Sequence, residues 1–165
     1  MSFLHLSLTS QILGTKTDVN MLLPDGMEDR KVPEEGYQVL YLLHGYMGDF
    51  SEWIRNSLIE NYTAGKQLVV VMPDGGKSFY TDMVAGDRYW TYLSEELPKQ
   101  MSAYFKISER RCDHFAMGLS MGAYGALKLG LAHSDSFQAV AGFSGVVDVA
   151  KFWMRLKEEG NLIPF

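Results

Sequence analysis

The spacing of apolar and polar residues predicts strands of two kinds. Residues 2–9 alternate apolar and polar side chains, and Thr17–Leu23 is a second extended stretch that ends at the predicted turn Pro24-Asp25-Gly26. This pattern is typical of an antiparallel pair with one exposed face. Val39–Leu43 and Leu68–Met72 are instead unbroken apolar runs, which indicate central parallel strands covered by helices on both faces.

Segments with helical spacing lie between these two apolar runs and after the second one. Ile54, Leu58 and Tyr62 recur at i, i+4 and i+8, and the preceding Asp49-x-x-Glu52 predicts a single helix with a start like a capping box. A second helical face follows, and Pro98 predicts that this helix begins near Glu95 or is kinked there. The residues of that face are Leu93, Leu97, Met101 and Phe105.

The same alternation continues to the end of the chain. It predicts a short strand at His114–Met117, a helix at Met121–Leu131 and a buried strand at Phe137–Phe143. A last helix is suggested by Val149–Leu156, with Asp148 as its cap. Alternating strands and helices indicate an α/β fold with a mainly parallel sheet, and the absence of repeats or linkers predicts one domain over residues 1–165.

Composition narrows the classes of function. The 165 residues carry a formal net charge of -5 without a cluster of Lys and Arg, which argues against a nucleic-acid partner. Apolar runs are far shorter than the ~20 residues of a membrane-spanning helix, and the first ten residues lack the features of a signal peptide. We therefore expect a cytoplasmic protein without a membrane partner. The single cysteine, Cys112, excludes an internal disulfide.

The strongest chemical signal is Gly118-Leu119-Ser120-Met121-Gly122, a G-x-S-x-G between a predicted strand and a helix rich in small residues. This context is typical of a nucleophile elbow, in which a tight turn presents the serine at a helix N-terminus. The alternative interpretation is a Gly/Ser turn without chemistry. A second signal, His44-Gly45-Tyr46-Met47-Gly48, follows the first central strand, where an oxyanion loop would lie. Its alternative is an ordinary connection between a strand and a helix.

Together, these stretches resemble the esterase D group of α/β-hydrolases, which includes tributyrin esterases, S-formylglutathione hydrolases, feruloyl and acetyl-xylan esterases and mycolyltransferases. The matching stretches span most of the chain, and the short-chain tributyrin-type esterases look most similar. The matching stretches are Leu42–Gly48 with Trp53, Val69–Gly76 running into Ser78–Asp82, Glu95–Pro98, and Gly118–Gly122 with Gly125-Ala126-Leu127.

The resemblance implies that Ser120 is the nucleophile, that the backbone N–H groups of Met121 and Tyr46 form the oxyanion hole, and that the Ser78–Asp82 loop borders the site. It also implies a small-molecule ester as substrate, or a thioester in the case of S-formylglutathione. Trp53, Tyr80 and Asp82 are the candidate substrate contacts, although aromatic residues mostly form core and aspartates in loops mostly form turns. No metal site or cofactor is expected, and a homo-oligomer is left open.

A serine hydrolase also needs a histidine base and an acid, which in this fold follow the serine in the sequence. His133 is the only histidine after Ser120, and it lies about a dozen residues along the predicted helix, roughly 18 Å from its start. We therefore expect the base and acid to lie outside these 165 residues, on strands that the resemblance places after them. The alternative is a binding or structural fragment without catalytic activity.

Overall fold

Six strands form one mixed sheet in the computed structural model, which describes residues 1–25 and 31–160. The spatial order is β1-β2-β4-β3-β5-β6. Strands β3 to β6 run parallel to one another, whereas β2 pairs antiparallel with both β1 and β4. The strands are β1 (Ser2–Ser10), β2 (Thr15–Leu23), β3 (Gln38–Leu43), β4 (Leu68–Pro73), β5 (His114–Leu119) and β6 (Ala139–Phe143).

The predicted antiparallel pair is confirmed as a hairpin in which Leu4 lies opposite Met21. Gly26, the last residue of the predicted turn, lies outside the described residues. The two apolar runs are also confirmed as neighbouring parallel strands, with Val39 opposite Val69 and Tyr41 opposite Val71. The fold is therefore the predicted α/β sheet with an antiparallel pair at one edge.

Helices cover the sheet on two faces. They are α1 (Glu52–Asn56), α2 (Ile59–Thr63), α3 (Tyr89–Thr91), α4 (Leu97–Tyr104), α5 (Met121–Ala132) and α6 (Val149–Glu158). One face of the sheet packs against α4 and α5 through Leu97, Met101 and Leu129, while Trp53, Ile54 and Ile59 pack on the other face. Alternate residues of β3 serve the two cores, as the pleat of a strand requires.

The single helix predicted over Ile54, Leu58 and Tyr62 is wrong. The helix is interrupted at Ser57, whose backbone is extended. The Ser57 hydroxyl donates to the Trp53 carbonyl and accepts from the Ile59 amide. Leu58 and Tyr62 are consequently exposed. A serine hydroxyl can form hydrogen bonds with nearby backbone groups that would otherwise belong to the helix, and here these bonds separate α1 from α2.

Pro98 is accommodated without a break. A π-helical stretch, Tyr92–Glu96, joins α3 to α4, and the proline lies in the first turn of α4, where a missing N–H costs little. The helical segment therefore starts at Tyr89, earlier than predicted. Leu93, Leu97 and Met101 are buried as their spacing predicts.

The last strand is more exposed than predicted. The run Phe137–Phe143 indicates a buried strand, yet β6 begins at Ala139 and its residues are exposed or half-buried. The reason is its position at the edge of the described sheet, where it pairs only with β5. The following helix is confirmed, since Asp148 Oδ1 accepts from the Lys151 amide at 2.9 Å at its N-terminus.

Candidate active site

Ser120 lies in a strained turn between β5 and α5. Its φ is 55° and its ψ is -113°, a left-handed conformation that costs free energy in a residue with a side chain. The turn is fastened on both sides. The Ser120 amide donates to the Phe143 carbonyl at 2.8 Å, and the Ser120 carbonyl accepts from the Ala123 amide at 3.1 Å. The side chain is half-buried and stands at the N-terminus of α5.

The two glycines that flank Ser120 are required by backbone contacts. A Cβ at Gly118 would overlap the carbonyl of Gly122, and a Cβ at Gly122 would overlap the carbonyl of Leu43. Neither obstacle is a flexible side chain, so neither can move aside at small cost. These contacts bring the first turn of α5 directly against the end of β3.

The loop after β3 therefore lies beside Ser120. A Cβ at Gly45 would be 3.7 Å from the Ser120 Cβ, which places Tyr46, the next residue, at the same edge of the sheet. The Glu52 carboxylate accepts from the Gly45 amide at 2.7 Å and holds this loop in place. The two motifs of the sequence thus meet at the carboxyl ends of β3 and β5, where ligands bind in folds of this type.

His44 is a buried supporting residue. Only 1% of it is exposed, and Nε2 accepts from the Gly75 amide at 2.8 Å. Nδ1 consequently carries the proton and donates to the Gly45 carbonyl at 2.7 Å. With both ring nitrogens occupied by backbone groups, the imidazole joins the loop after β3 to the loop after β4 and is not available as a base for Ser120.

The other three histidines lie away from Ser120. His114 begins β5, the strand that Ser120 directly follows, so about 20 Å of extended chain separates the two residues. His133 follows α5, whose twelve residues measure about 18 Å, and its ring stacks on Trp90. His5 belongs to β1 at the far edge of the sheet and bonds Asn20. None of the four histidines, all of which lie in residues 1–25 and 31–160, is therefore placed to accept the Ser120 proton.

The three predicted substrate contacts occupy different positions. Trp53 is half-buried in the core on the α1 side, and its indole Nε1–H donates to the Leu43 carbonyl at 3.0 Å. Tyr80 is 1% exposed and its hydroxyl donates to the His44 carbonyl at 3.2 Å. Burial raises the pKa of this phenol, whose hydroxyl supports the loop after β3, and a substrate contact by Tyr80 stays a prediction.

Asp82 stays close to the surface and bonds Thr91, the last residue of α3. Its two carboxylate oxygens accept from the Thr91 amide at 2.9 Å and the Thr91 hydroxyl at 2.6 Å. Burial favours the protonated form, but the bonds from Thr91 outweigh it and hold the pKa of Asp82 below its usual value. These bonds join the Ser78–Asp82 loop to a residue nine positions further along the chain, and a substrate contact by Asp82 stays a prediction.

Two contributors escape detection in the sequence. Glu52 fits a capping box, yet its carboxylate bonds the Gly45 amide at the site, while Ser51, the residue before α1, bonds the Asp49 carboxylate. Phe79 is 3% exposed and adopts a φ of 49° beside Tyr46, with ring centroids 5.8 Å apart. A pattern of residue types contains no sign of either contact, because each joins separate loops.

A strand–serine–helix elbow on an α/β sheet of this topology defines the α/β-hydrolase class. FphF, a fluorophosphonate-binding serine hydrolase of Staphylococcus aureus, superposes with a TM-score of 0.84 at 29% identity, over 92% of this chain and 60% of that chain. The S-formylglutathione hydrolase FrmB of the same organism gives a TM-score of 0.80 at 29% identity, over 93% and 61% of the two chains.

Sequence comparison assigns the chain to one family within the α/β-hydrolase class. The sequence model of the Esterase family matches residues 10–161, and the chain belongs to this family. An acetyl esterase of Caldicellulosiruptor saccharolyticus is 30% identical over 156 residues, which are 92% of this chain and 59% of that protein. The chain thus spans about three fifths of the length of these relatives. Within the described ranges, none of the helices is long and apolar enough to cross a bilayer.

Proposed function

We propose that this chain supplies the nucleophile and the oxyanion hole of a serine carboxylesterase. One observation carries the proposal: Ser120 is held in a left-handed conformation between β5 and α5, with the Gly45 loop against it. Strain of this kind persists only where the surrounding structure enforces it, and it is concentrated at functional sites.

The chemistry follows from this arrangement. Ser120 Oγ attacks the acyl carbonyl, and its proton passes to a histidine base. The Met121 and Tyr46 amides stabilise the negative oxygen of the tetrahedral intermediate. When the intermediate collapses, the alcohol leaves with the proton, and water later releases the acid from Ser120 by the same steps. Since the four histidines are placed elsewhere, the base and its acid come from a part of the enzyme outside residues 1–165.

We propose short-chain acyl esters of the tributyrin type as the substrates and the cytoplasm as the location. A thioester such as S-formylglutathione is the second candidate, supported by the likeness to FrmB. The two are separated by comparing kcat/KM for S-formylglutathione with kcat/KM for p-nitrophenyl butyrate. A value at least tenfold higher for the thioester would replace the tributyrin-type assignment.

The test of the nucleophile is covalent labelling. We expect a fluorophosphonate to modify the full-length gene product on the peptide that contains Ser120, and Ser120→Ala to abolish the adduct. Ser144→Ala is the matched control, because Ser144 is an exposed serine directly after β6. An adduct on another residue, or unchanged labelling of Ser120→Ala, contradicts the proposal. Absence of both labelling and hydrolysis favours the binding or structural role.

A further inference from the structure

Lys77, in the loop after β4, lies over the side chain of Tyr46. Its Nζ is 5.3 Å from the centre of the Tyr46 ring, which is within the range of a cation–π interaction. The lysine is exposed, and within residues 1–25 and 31–160 its ammonium group has no carboxylate partner and donates no hydrogen bond to another residue. The ring therefore holds a positive charge that the described part of the protein does not neutralise.

The carboxylates near this edge of the sheet are occupied by other groups. Three of them accept hydrogen bonds from backbone amides. They are Asp49, Glu52 and Asp74, which bond the amides of Ser51, Gly45 and Gly76 at 2.7, 2.7 and 2.9 Å. None of the three forms an ion pair with Lys77. An anion that approaches Lys77 therefore does not have to displace a carboxylate of these loops.

The Tyr46 ring belongs to a group of aromatic rings beside the elbow. Its centroid is 5.8 Å from that of Phe79, and the Phe79 centroid is 6.3 Å from that of Tyr124. Tyr124 is one helical turn after Ser120 on α5. Phe79 is almost fully buried and held in a left-handed conformation, so the centre of this group is fixed. Lys77 thus lies at one end of a rigid aromatic row that borders the nucleophile.

A second cation lies at the other end of this row. The Phe152 ring centroid is 6.2 Å from that of Phe79, and the Arg155 guanidinium is 5.5 Å from the centre of the Phe152 ring. Phe152 and Arg155 also border a cavity beside α6. Arg155 Nε is 3.9 Å from the Glu159 carboxylate, so its charge already has an acidic partner. Of the two cations, Lys77 is therefore the one whose charge is available to a substrate.

We infer that Lys77 binds a carboxylate of the ester substrate and gives the enzyme a preference for esters that carry a negative charge near the scissile carbonyl. The inference rests on the proposed esterase function. Tyr46 links the two sites, because its amide is the proposed oxyanion donor and its ring lies beneath the ammonium group. A substrate whose carbonyl oxygen is held by that amide therefore has Lys77 close to its remaining groups. An exposed ion pair changes affinity by up to about fivefold.

The experiment compares matched esters with and without a carboxylate in the full-length gene product. On the alcohol half, the pair is 4-acetoxybenzoate and 4-acetoxybenzamide. On the acyl half, the pair is the mono-p-nitrophenyl ester of glutarate and p-nitrophenyl pentanoate. The ratio of kcat/KM for the anionic ester to kcat/KM for the neutral ester measures the preference, and the pair whose ratio changes identifies the half of the substrate that carries the carboxylate.

We expect Lys77→Ala to lower this ratio by about fivefold in one pair, and Lys77→Glu to lower it by about twentyfold because repulsion replaces attraction. Lys77→Arg keeps the charge and should stay within twofold of the wild type. Lys16→Ala makes the same change of net charge at an exposed position of β2 and should leave the ratio unchanged. Raising the ionic strength from about 0.01 M to about 1 M should lower the ratio in the wild type and not in Lys77→Ala.

A binding measurement separates this inference from the proposed function. In Ser120→Ala protein, 4-acetamidobenzoate should bind more tightly than 4-acetamidobenzamide, and Lys77→Ala in the same background should remove the difference. Ratios of kcat/KM that stay within twofold for both ester pairs in Lys77→Glu overturn the inference. If the protein hydrolyses none of the esters, equal or absent binding of the two amides overturns it. If Ser120 is not the nucleophile, the labelling result changes while the binding that depends on Lys77 persists.

Discussion

The two regions on either side of Ser120 are built differently. On the β3 side, backbone packs on backbone: Gly122 lies against the Leu43 carbonyl, and Glu52 and His44 fasten the Gly45 loop through its amide and carbonyl. On the β6 side, a single backbone hydrogen bond joins the Ser120 amide to the Phe143 carbonyl, and several apolar side chains remain exposed, with Phe143 at 47% and Val147 at 73%.

This difference suggests a division of work. Backbone contacts leave few alternative positions, which suits groups that must face the reacting carbonyl within a few tenths of an ångström. Side-chain contacts change readily by substitution. The β3 side is therefore the region to disturb when chemistry is tested, and the β6 side is the region to disturb when association is tested.

The largest effect is expected from a methyl group at the elbow. Gly118→Ala should lower the free energy of unfolding by about 3 kcal/mol or more, because its Cβ overlaps the Gly122 carbonyl. The matched change on the β6 side, Gly142→Ala, meets the Ala123 side chain at 3.0 Å and should cost no more than about 1 kcal/mol. Urea unfolding measures both values, and equal losses would remove the contrast between the two regions.

A slightly smaller effect should follow from removing an oxyanion donor. Tyr46→Pro deletes the backbone N–H and should lower kcat by about 10²–10³-fold. Tyr46→Phe keeps the amide and should lose far less, and Met47→Ala, at an 86% exposed neighbour, controls for disturbance of the loop. Steady-state hydrolysis of p-nitrophenyl acetate measures all three. A loss in Tyr46→Phe as large as in Tyr46→Pro would show that the phenol takes part.

The support of the Gly45 loop gives the next effect in size. Glu52→Ala leaves the Gly45 amide without its carboxylate partner, which should cost about 2 kcal/mol in stability and lower kcat more than it changes KM. Glu52→Gln retains an acceptor oxygen and should restore most of kcat. Thermal unfolding and steady-state kinetics are the measurements. If the glutamine variant behaves like the alanine variant, the hydrogen bond to Gly45 does not position the loop.

The smallest effect on stability is expected on the β6 side. Leu131 is 85% exposed and borders an apolar groove with Val140 and Val147. Leu131→Lys should change the free energy of unfolding by less than about 0.5 kcal/mol but reduce self-association of residues 1–165. Sedimentation velocity at several concentrations tests this outcome. Identical sedimentation of both proteins would mean that this face does not mediate association.

Local patterns were sufficient for β1 to β4 and failed at one helix break and at the burial of β6. The alternation of apolar and polar residues predicts β1 and β2, because it reflects the burial of one face of a strand. The unbroken apolar runs predict β3 and β4, because they reflect the burial of both faces. The spacing of Ile54, Leu58 and Tyr62 also fits a helix, yet Ser57 forms its own backbone bonds and splits it. Periodicity records where side chains point and carries no information on such competition.

The candidate site shows the same limit. The glycines around Ser120 and the His44-Gly45 sequence indicate an elbow and a neighbouring loop, because their backbone requirements are local. The tertiary structure places the Tyr80 hydroxyl on the His44 carbonyl, Glu52 on the Gly45 amide and Phe152 beside Phe79. Each of these contacts joins segments that are distant in sequence or in different loops.

By itself, the sequence determined the α/β sheet with its antiparallel edge and the residues of the elbow, since these follow from side-chain periodicity and from glycines that no other residue can replace. The tertiary structure alone decided that His44 has no free ring nitrogen, that β6 lies at the exposed edge of the described sheet, and that a cavity opens beside α6. These properties depend on contacts between backbone groups and side chains of different segments, and only the folded chain shows which of these contacts form.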